Sequence, residues 1–181
     1  MITNRLLLHS MLSLENARDL FIYEKRALYQ MEAPQNSVWG PALWKLLHFS
    51  AERIGLPVIR LPREEERLWR GLLHSLALSL PCPLCKKHYV LYDRSRPLVF
   101  SKEGVRSWLY HLHEEVNQRL GLPAFAEDIG TVYGVPFAFS TYSAVFVEHM
   151  RRGIRHGTVK QADMVRTIRC LEELKRYYDF F

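Results

Sequence analysis

Cysteine is scarce in this chain. Three residues in 181 are too few for a stapled secreted scaffold, and the odd number leaves Cys170 without an obvious partner. Long apolar runs are also missing. Nothing approaches the ~20 residues that span a bilayer, and the stretch from Leu6 to Leu12 is too short and too interrupted for the apolar core of a signal peptide. No alternating segment reads as a strand, and there is no internal repeat or low-complexity tract. The 25 basic residues outnumber the 19 acidic ones for a net charge of +6, but they are scattered rather than massed in the stripe that nucleic acid requires. The expectation is a soluble, intracellular and cytoplasmic protein with neither a membrane nor a nucleic acid as partner. A chain of this length buries roughly 70% of its unfolded surface, so its core needs no covalent staples.

What is present is helical patterning. Ser37 can cap a helix carrying Gly40 and Pro41 in its first turn, with Trp44, Leu47, His48 and Ala51 at three- and four-residue spacing until Gly55. A second helix carries Leu68, Trp69, Leu72, Leu73, Leu76 and Leu80 and stops at Pro81. A third begins near Cys82 and continues through His88, Tyr89 and Leu91. Ser101 opens a fourth, with Val105, Trp108, Leu109, Leu112, Val116 and Leu120 on one face, His113 and Asn117 beside it, and Gly121 and Pro123 at its end. Two more helices are expected over about 140–152 and 158–178, the latter capped by Thr158 and striped by Val165, Ile168, Leu171 and Leu174.

Two of the three cysteines stand together in Pro81-Cys82-Pro83-Leu84-Cys85-Lys86-Lys87-His88. At a helix N-terminus beside Lys86 and Lys87, a thiolate is favoured by the helix dipole and the nearby cations, which suits redox exchange. The alternative is a structural zinc site, with Cys82, Cys85 and His88 as ligands and His111 or His113 completing four. Spacing alone leaves both open, and the usual βαβ setting of a redox CxxC is missing. Taken singly, Trp39, Trp44 and Trp108 read as core aromatics, and His48, His88 and His113 as satisfied half-buried histidines.

Read together, the blocks say more. Trp39-Gly40-Pro41-Ala42-Leu43-Trp44 with His48, then the CxxC with His88, then Trp108-Leu109 with His113, Val116, Asn117 and Leu120, resemble the Erv/ALR family of FAD-dependent sulfhydryl oxidases over about residues 36–125. The resemblance implies an all-α fold, a compact four-helix bundle binding FAD, with additional C-terminal helices. It also implies a homodimer, with thiol-containing protein substrates and molecular oxygen as partners. By the same resemblance Trp39, Gly40, Trp44, His48, His88, His113 and Asn117 contact FAD, and Tyr133 aligns loosely with another cofactor-contacting aromatic. A substrate thiolate then attacks Cys82, the outer sulfur. Cys85 is released facing the flavin, and the electrons end on oxygen as hydrogen peroxide. A catalytically dead relative that keeps the fold for binding is the remaining alternative, against which the intact CxxC argues.

The chain departs from the family pattern in several places. Glu114 stands where an asparagine is expected after the histidine, and Ala126 and Glu127 stand where a structural cysteine often follows the phenylalanine that Phe125 matches. There is no shuttle CxxC or CxC, so substrates reach Cys82 directly, and Cys170 reads as buried or inert. Missing both a leader and a shuttle suits a viral, cytosolic member of the family. The expected organisation is an N-terminal helical segment over 1–35, an FAD-binding oxidase domain over 36–128 and a helical extension over 129–181. The extension is expected to pack on that domain or on a partner chain.

Overall fold

The computed structural model of the chain describes residues 19, 21–25, 33–56, 62–124 and 137–180. Its contacts divide into two units, Met1–Ala33 and Pro34–Phe181. Within the first, residues 21–25 are helical, and the Lys25 ammonium lies 4.5 Å from the centre of the Phe21 ring. The second unit contains, among the described residues, six helices and no strand. They are α1 (Asn36–Glu52), α2 (Pro62–Ser79), α3 (Pro83–Ser95), α4 (Lys102–Leu120), α5 (Phe139–Arg155) and α6 (Gln161–Tyr177). The all-α class expected from the sequence is therefore the one observed. No helix among the described residues is long and apolar enough to cross a membrane.

In α1, Trp39, Ala42, Leu43, Leu46, Leu47 and Ala51 are buried at three- and four-residue spacing, so one face of the helix is committed to the core. Pro41 lies inside the helix, where its missing N–H removes the bond that the Ser37 carbonyl would otherwise accept. The expected cap at Ser37 is not the start. The helix begins two residues earlier, with Gln35 in the cap position and no side-chain cap. Its entry is instead fixed from α5, because the Gln35 N–H donates to His149 Nδ1 at 3.1 Å.

The stripe on α2 is buried as expected, with Leu68, Trp69, Leu72, Leu73, Leu76 and Leu80 all inside, while Glu64 and Glu65 complement the dipole in its first turn. Tyr89 and Tyr92 of α3 pack edge-on against Trp108 of α4. Their hydroxyls donate to Leu73 O at 2.9 Å and Trp108 O at 2.8 Å. Ser101 caps α4 by accepting from Gly104 N at 2.9 Å, as its sequence implied.

The C-terminal helices share this core. The most extensive packing in the unit joins α2 to α6 and α1 to α5. Two expectations for α6 are corrected here. Val165 is 46% exposed, and the buried face runs instead through Thr167, Leu171, Leu174 and Tyr177. Thr167 can sit inside because its hydroxyl donates to Ser79 Oγ at 2.8 Å, which removes the penalty of a buried unpaired polar group. Thr158 does not cap α6. Lys160 occupies the cap position without a side-chain bond, and the Thr158 hydroxyl lies 2.9 Å from Pro81 O and 3.1 Å from Gly153 O.

A buried carboxylate closes the far end of the core. Glu65, 5% exposed, accepts from the Tyr178 hydroxyl at 2.6 Å and from Gly55 N at 3.2 Å. Tyr178 in turn accepts from Trp69 Nε1 at 2.9 Å. Burial, and then the bond to Glu65, push the Tyr178 pKa far up, so the phenol stays protonated and donates. Tyr178→Phe removes one donor from Glu65 and the acceptor for Trp69. It should lower the unfolding free energy by about 1–3 kcal/mol, measurable by urea denaturation, and an unchanged midpoint would show that the network adds no stability.

Candidate functional site

Cys82 is the cap residue of α3, and its sulfur accepts from Cys85 N at 3.2 Å. Pro83 occupies the first turn, where a missing N–H breaks no helical bond. Cys82 and Cys85 are joined as a disulfide with Cα atoms 5.1 Å apart. The placement at a helix N-terminus expected from the sequence is thus the one observed. Pro83 and Leu84 face outward, Leu84 with 73% of its surface exposed, and both cysteines are partly buried.

The Cys85 end of the disulfide meets the exposed start of α1. The Trp39 indole N–H donates to Asn36 Oδ1 at 3.0 Å. An indole can only donate, so the amide is oriented with its Nδ2 turned away from that bond. Nδ2 points toward Cys85 Sγ at 4.0 Å. Trp39 itself is buried, with its ring centre 5.9 Å from that of Phe146 on α5.

Further along α1, Trp44, His48 and His113 of α4 form one ring cluster. Trp44 and His113 lie parallel within 9° at 4.1 Å between centres. His48 Nε2 and His113 Nδ1 are 3.3 Å apart. Burial is the main cause that lowers both imidazoles, His48 to about 3, with His113 adding to it, and His113 to about 4, against a raising effect of Glu114. Both rings are therefore neutral at pH 7. A neutral pair can share one proton across that contact, one nitrogen donating and the other accepting.

The remaining expected residues fall elsewhere. His88 Nε2 faces Glu115 Oε2 at 3.6 Å, and Glu115 also pairs with Arg96. Burial lowers the His88 pKa, Arg119 lowers it further, and Glu115 opposes them. Asn117 is buried one turn beyond His113, and its Nδ2 donates to Pro123 O at 3.3 Å at the end of α4. Tyr133 lies outside the described residues, as do Phe125, Ala126 and Glu127. Cys170 is half-buried against α2, and burial pushes its thiol pKa up while a bond from Ser75 opposes the shift. It is a poor source of thiolate. The zinc alternative loses its ligand set, since no group of three or more His, Cys, Asp or Glu gathers around a metal position among the described residues.

Asn36, Gly40, Trp44 and His48 recur every fourth residue, so they form one slowly winding stripe on α1 that runs about 18 Å from the sulfurs to the histidines. A Cβ added at Gly40 would meet nothing within 4 Å. The stripe therefore offers an amide at a sulfur, open space, and a flat aromatic stack with hydrogen-bonding nitrogens. That donor set fits an elongated ligand with planar heteroaromatic parts. The sequence reading missed Asn36, although its place three residues before Trp39 was a usable signal. It also missed Gln35, Phe146 and His149, which no local pattern connects.

The Erv1 / Alr family model matches residues 41–134, more than half of the chain. The chain belongs to the Erv1/Alr family. Two relatives carry the words FAD-linked sulfhydryl oxidase in their names. Protein 347L of Invertebrate iridescent virus 6 is 27% identical over 100 residues, which are 51% of this chain and 87% of that protein. Protein 088R of Frog virus 3 (isolate Goorha) is 27% identical over 89 residues, 48% of this chain and 59% of that protein. No solved structure matches the chain. Of the elements described above, α1 from Pro41 onward, the CxxC and α4 lie within the family match, whereas Asn36, Trp39, Gly40, α5 and α6 lie outside it.

The neutral histidine pair generates a pH prediction. In the unfolded chain each imidazole takes up a proton near pH 6.5, whereas in the fold it does so only near 3 to 4. The unfolded state thus binds more protons through that window, and stability falls as pH drops below about 6.5. Thermal melts should show a lower midpoint at pH 5 than at pH 7.5, and His48→Gln should flatten the dependence. An equal slope in that variant would remove His48 from the explanation.

Proposed function

We propose that this protein is an FAD-linked sulfhydryl oxidase that forms disulfides in thiol-containing proteins. The observation that carries the reading is the Cys82–Cys85 disulfide at the start of α3, with the Asn36 amide directed at Cys85. Family membership and the names of the two viral relatives support it. Their iridovirus origin also supports a viral source.

The chain's own residues account for the thiol chemistry. A substrate thiolate attacks Cys82 Sγ, a substrate–Cys82 disulfide forms, and the Cys82–Cys85 bond breaks with its electron pair leaving on Cys85. Asn36 Nδ2 faces the negative charge that develops there. A second substrate thiol attacks the substrate sulfur and releases Cys82 as a thiolate, which the Cys85 N–H and the helix dipole stabilise. The substrate leaves as a disulfide, and the cysteine pair holds the two electrons. The chemistry that bound FAD supplies is acceptance of those two electrons, with molecular oxygen as final acceptor and hydrogen peroxide as product. In this reading Trp39, Gly40, Trp44, His48, His88, His113, Asn117 and Tyr133 hold the cofactor, and residues 36–128 carry the chemistry while 129–181 support it. The protein acts as a homodimer, and its setting is the cytoplasm.

The test is an oxygen-electrode trace with dithiothreitol, read beside the visible spectrum. The purified protein should be yellow and consume oxygen. Cys85→Ser should stay yellow and fall to background, and Asn36→Ala should slow turnover roughly tenfold, as expected for one hydrogen bond to a developing charge. A colourless protein that cannot be reconstituted with FAD sinks the reading. A second expected outcome concerns Gly40→Leu. Nothing in the protein crowds that Cβ position, so the fold should persist, while overpacking the cofactor space should weaken flavin binding about tenfold or more. Full flavin content in a folded Gly40→Leu would place the cofactor elsewhere.

A further inference from the structure

The turn between α5 and α6 lies outside the family match, yet it is fastened to both flanks of the cysteine motif. Pro81, which precedes Cys82, presents its carbonyl oxygen to Thr158 Oγ1 at 2.9 Å. Lys86, which follows Cys85, donates from Nζ to Thr158 O at 2.5 Å. The turn is itself closed tightly, with Gly157 left-handed at φ 68° and Thr158 N donating to Gly153 O at 2.8 Å. A Cβ on Gly153 would fall 2.7 Å from Val159 Cγ2, 3.0 Å from Thr158 Oγ1 and 3.2 Å from Pro81 Cβ. Glycine at 153 thus leaves room for the turn to fold back on α5 beside Pro81. One threonine therefore grips the loop through its hydroxyl on one side and its carbonyl on the other.

We propose that this turn, through Thr158 with Lys86, is a positioning device that sets the redox equilibrium of the Cys82–Cys85 pair. The inference rests on reading that pair as redox-active. Breaking the disulfide frees the two sulfurs to separate, by rotation of the two side chains and further where the flanks of the loop can move. Flanks held at Pro81 and Lys86 keep each thiol at high effective concentration beside the other, which favours the closed disulfide. Releasing one flank favours the dithiol. A single hydrogen bond contributes about 0.5–1.5 kcal/mol, so its loss should move the equilibrium roughly two- to tenfold.

The experiment equilibrates the full chain with mixtures of reduced and oxidised dithiothreitol, traps free thiols by alkylation and counts them by mass. In that exchange the pair gains two electrons and two protons, and the reductant closes its own disulfide. Thr158→Val should shift the equilibrium two- to tenfold toward the dithiol, and Thr158→Ser should restore the parent value. Thr158→Ala, which loses the same hydroxyl and changes no charge beside the sulfurs, should shift it in the same direction and serves as the test if Thr158→Val does not fold. Tyr178→Phe is the control, since it weakens the same helical pair at Glu65 and Trp69, about 15 Å along α2 from its Ser79 end. It should lower stability without moving the redox equilibrium. A shift of about twofold or more toward the dithiol in Thr158→Val, or in Thr158→Ala where the valine variant does not fold, that Tyr178→Phe lacks upholds the proposal, and any other result overturns it. Flavin content and oxygen uptake of the parent are read separately. A yellow, active parent with an unmoved Thr158→Val refutes this inference alone, whereas a colourless parent whose equilibrium moves refutes the oxidase reading alone.

Discussion

A disulfide closed across two intervening residues fixes its own small loop, but where that loop points depends on the residue that enters it. Here that residue is Pro81, buried between the end of α2 and the turn after α5. Once Pro81 is held, Cys82 falls at the cap position of α3, its sulfur meets the Cys85 N–H, and Pro83 and Leu84 are turned outward. The amide at Asn36 faces Cys85 with the start of α1 held as well, by His149 of α5 at Gln35 N and by the Trp39 indole N–H donating to Asn36 Oδ1. Both supports trace back to one helical pair. The packing of α5 on α1 and of α6 on α2 is thus what brings the motif and its nearest polar neighbour into register.

The second cluster depends on burial rather than on hydrogen bonds. With His48 and His113 held neutral by desolvation, their rings can approach within 3.3 Å without like-charge repulsion and lie against Trp44. Charged imidazoles in the same place would repel each other in a medium of low dielectric. The neutral, flat, hydrogen-bonding surface that results suits a planar heteroaromatic better than a bare anion. Four-residue spacing on α1 carries this surface and the sulfur-facing amide on one stripe, so a single helix spans the whole candidate site.

Much of this could be read from the chain itself. Helices with strong apolar spacing, such as Leu68 to Leu80, and with local stop signals, such as Gly121 and Pro123, form where the pattern puts them. The CxxC at a helix start was likewise accessible from its spacing, whereas Trp44 and His48 were joined to His113 only through the resemblance of the three blocks to the family, since 65 residues separate the two histidines. The failures share a cause. Ser37 and Thr158 have good capping chemistry, but tertiary partners compete with that local role. His149 fixes the entry to α1, and Pro81 engages the Thr158 hydroxyl. Val165 was assigned inward on hydrophobicity, whereas Thr167 takes the inner face because Ser79, 88 residues away, supplies its partner. Contacts at such separations leave no periodic trace in the sequence.

The surroundings of the disulfide differ on its two sides, and the difference bears on the missing shuttle motif. On one side lie Pro83 and Leu84, an apolar and nearly uncovered tip; on the other lies the Asn36 amide, itself exposed, held by the buried Trp39. Attack on a disulfide requires the nucleophile to approach along the S–S axis at the attacked sulfur, Cys82, from the side opposite the leaving sulfur, Cys85. In the proposed chemistry the exposed tip therefore serves incoming thiols, and the amide receives the sulfur that departs. In that chemistry a protein thiol would meet Cys82 at this tip with no second cysteine pair between them. The remaining requirement is rigidity. An uncovered loop keeps its two sulfurs in register only if its base is clamped, and in this fold the clamp comes from helices that lie outside the family match.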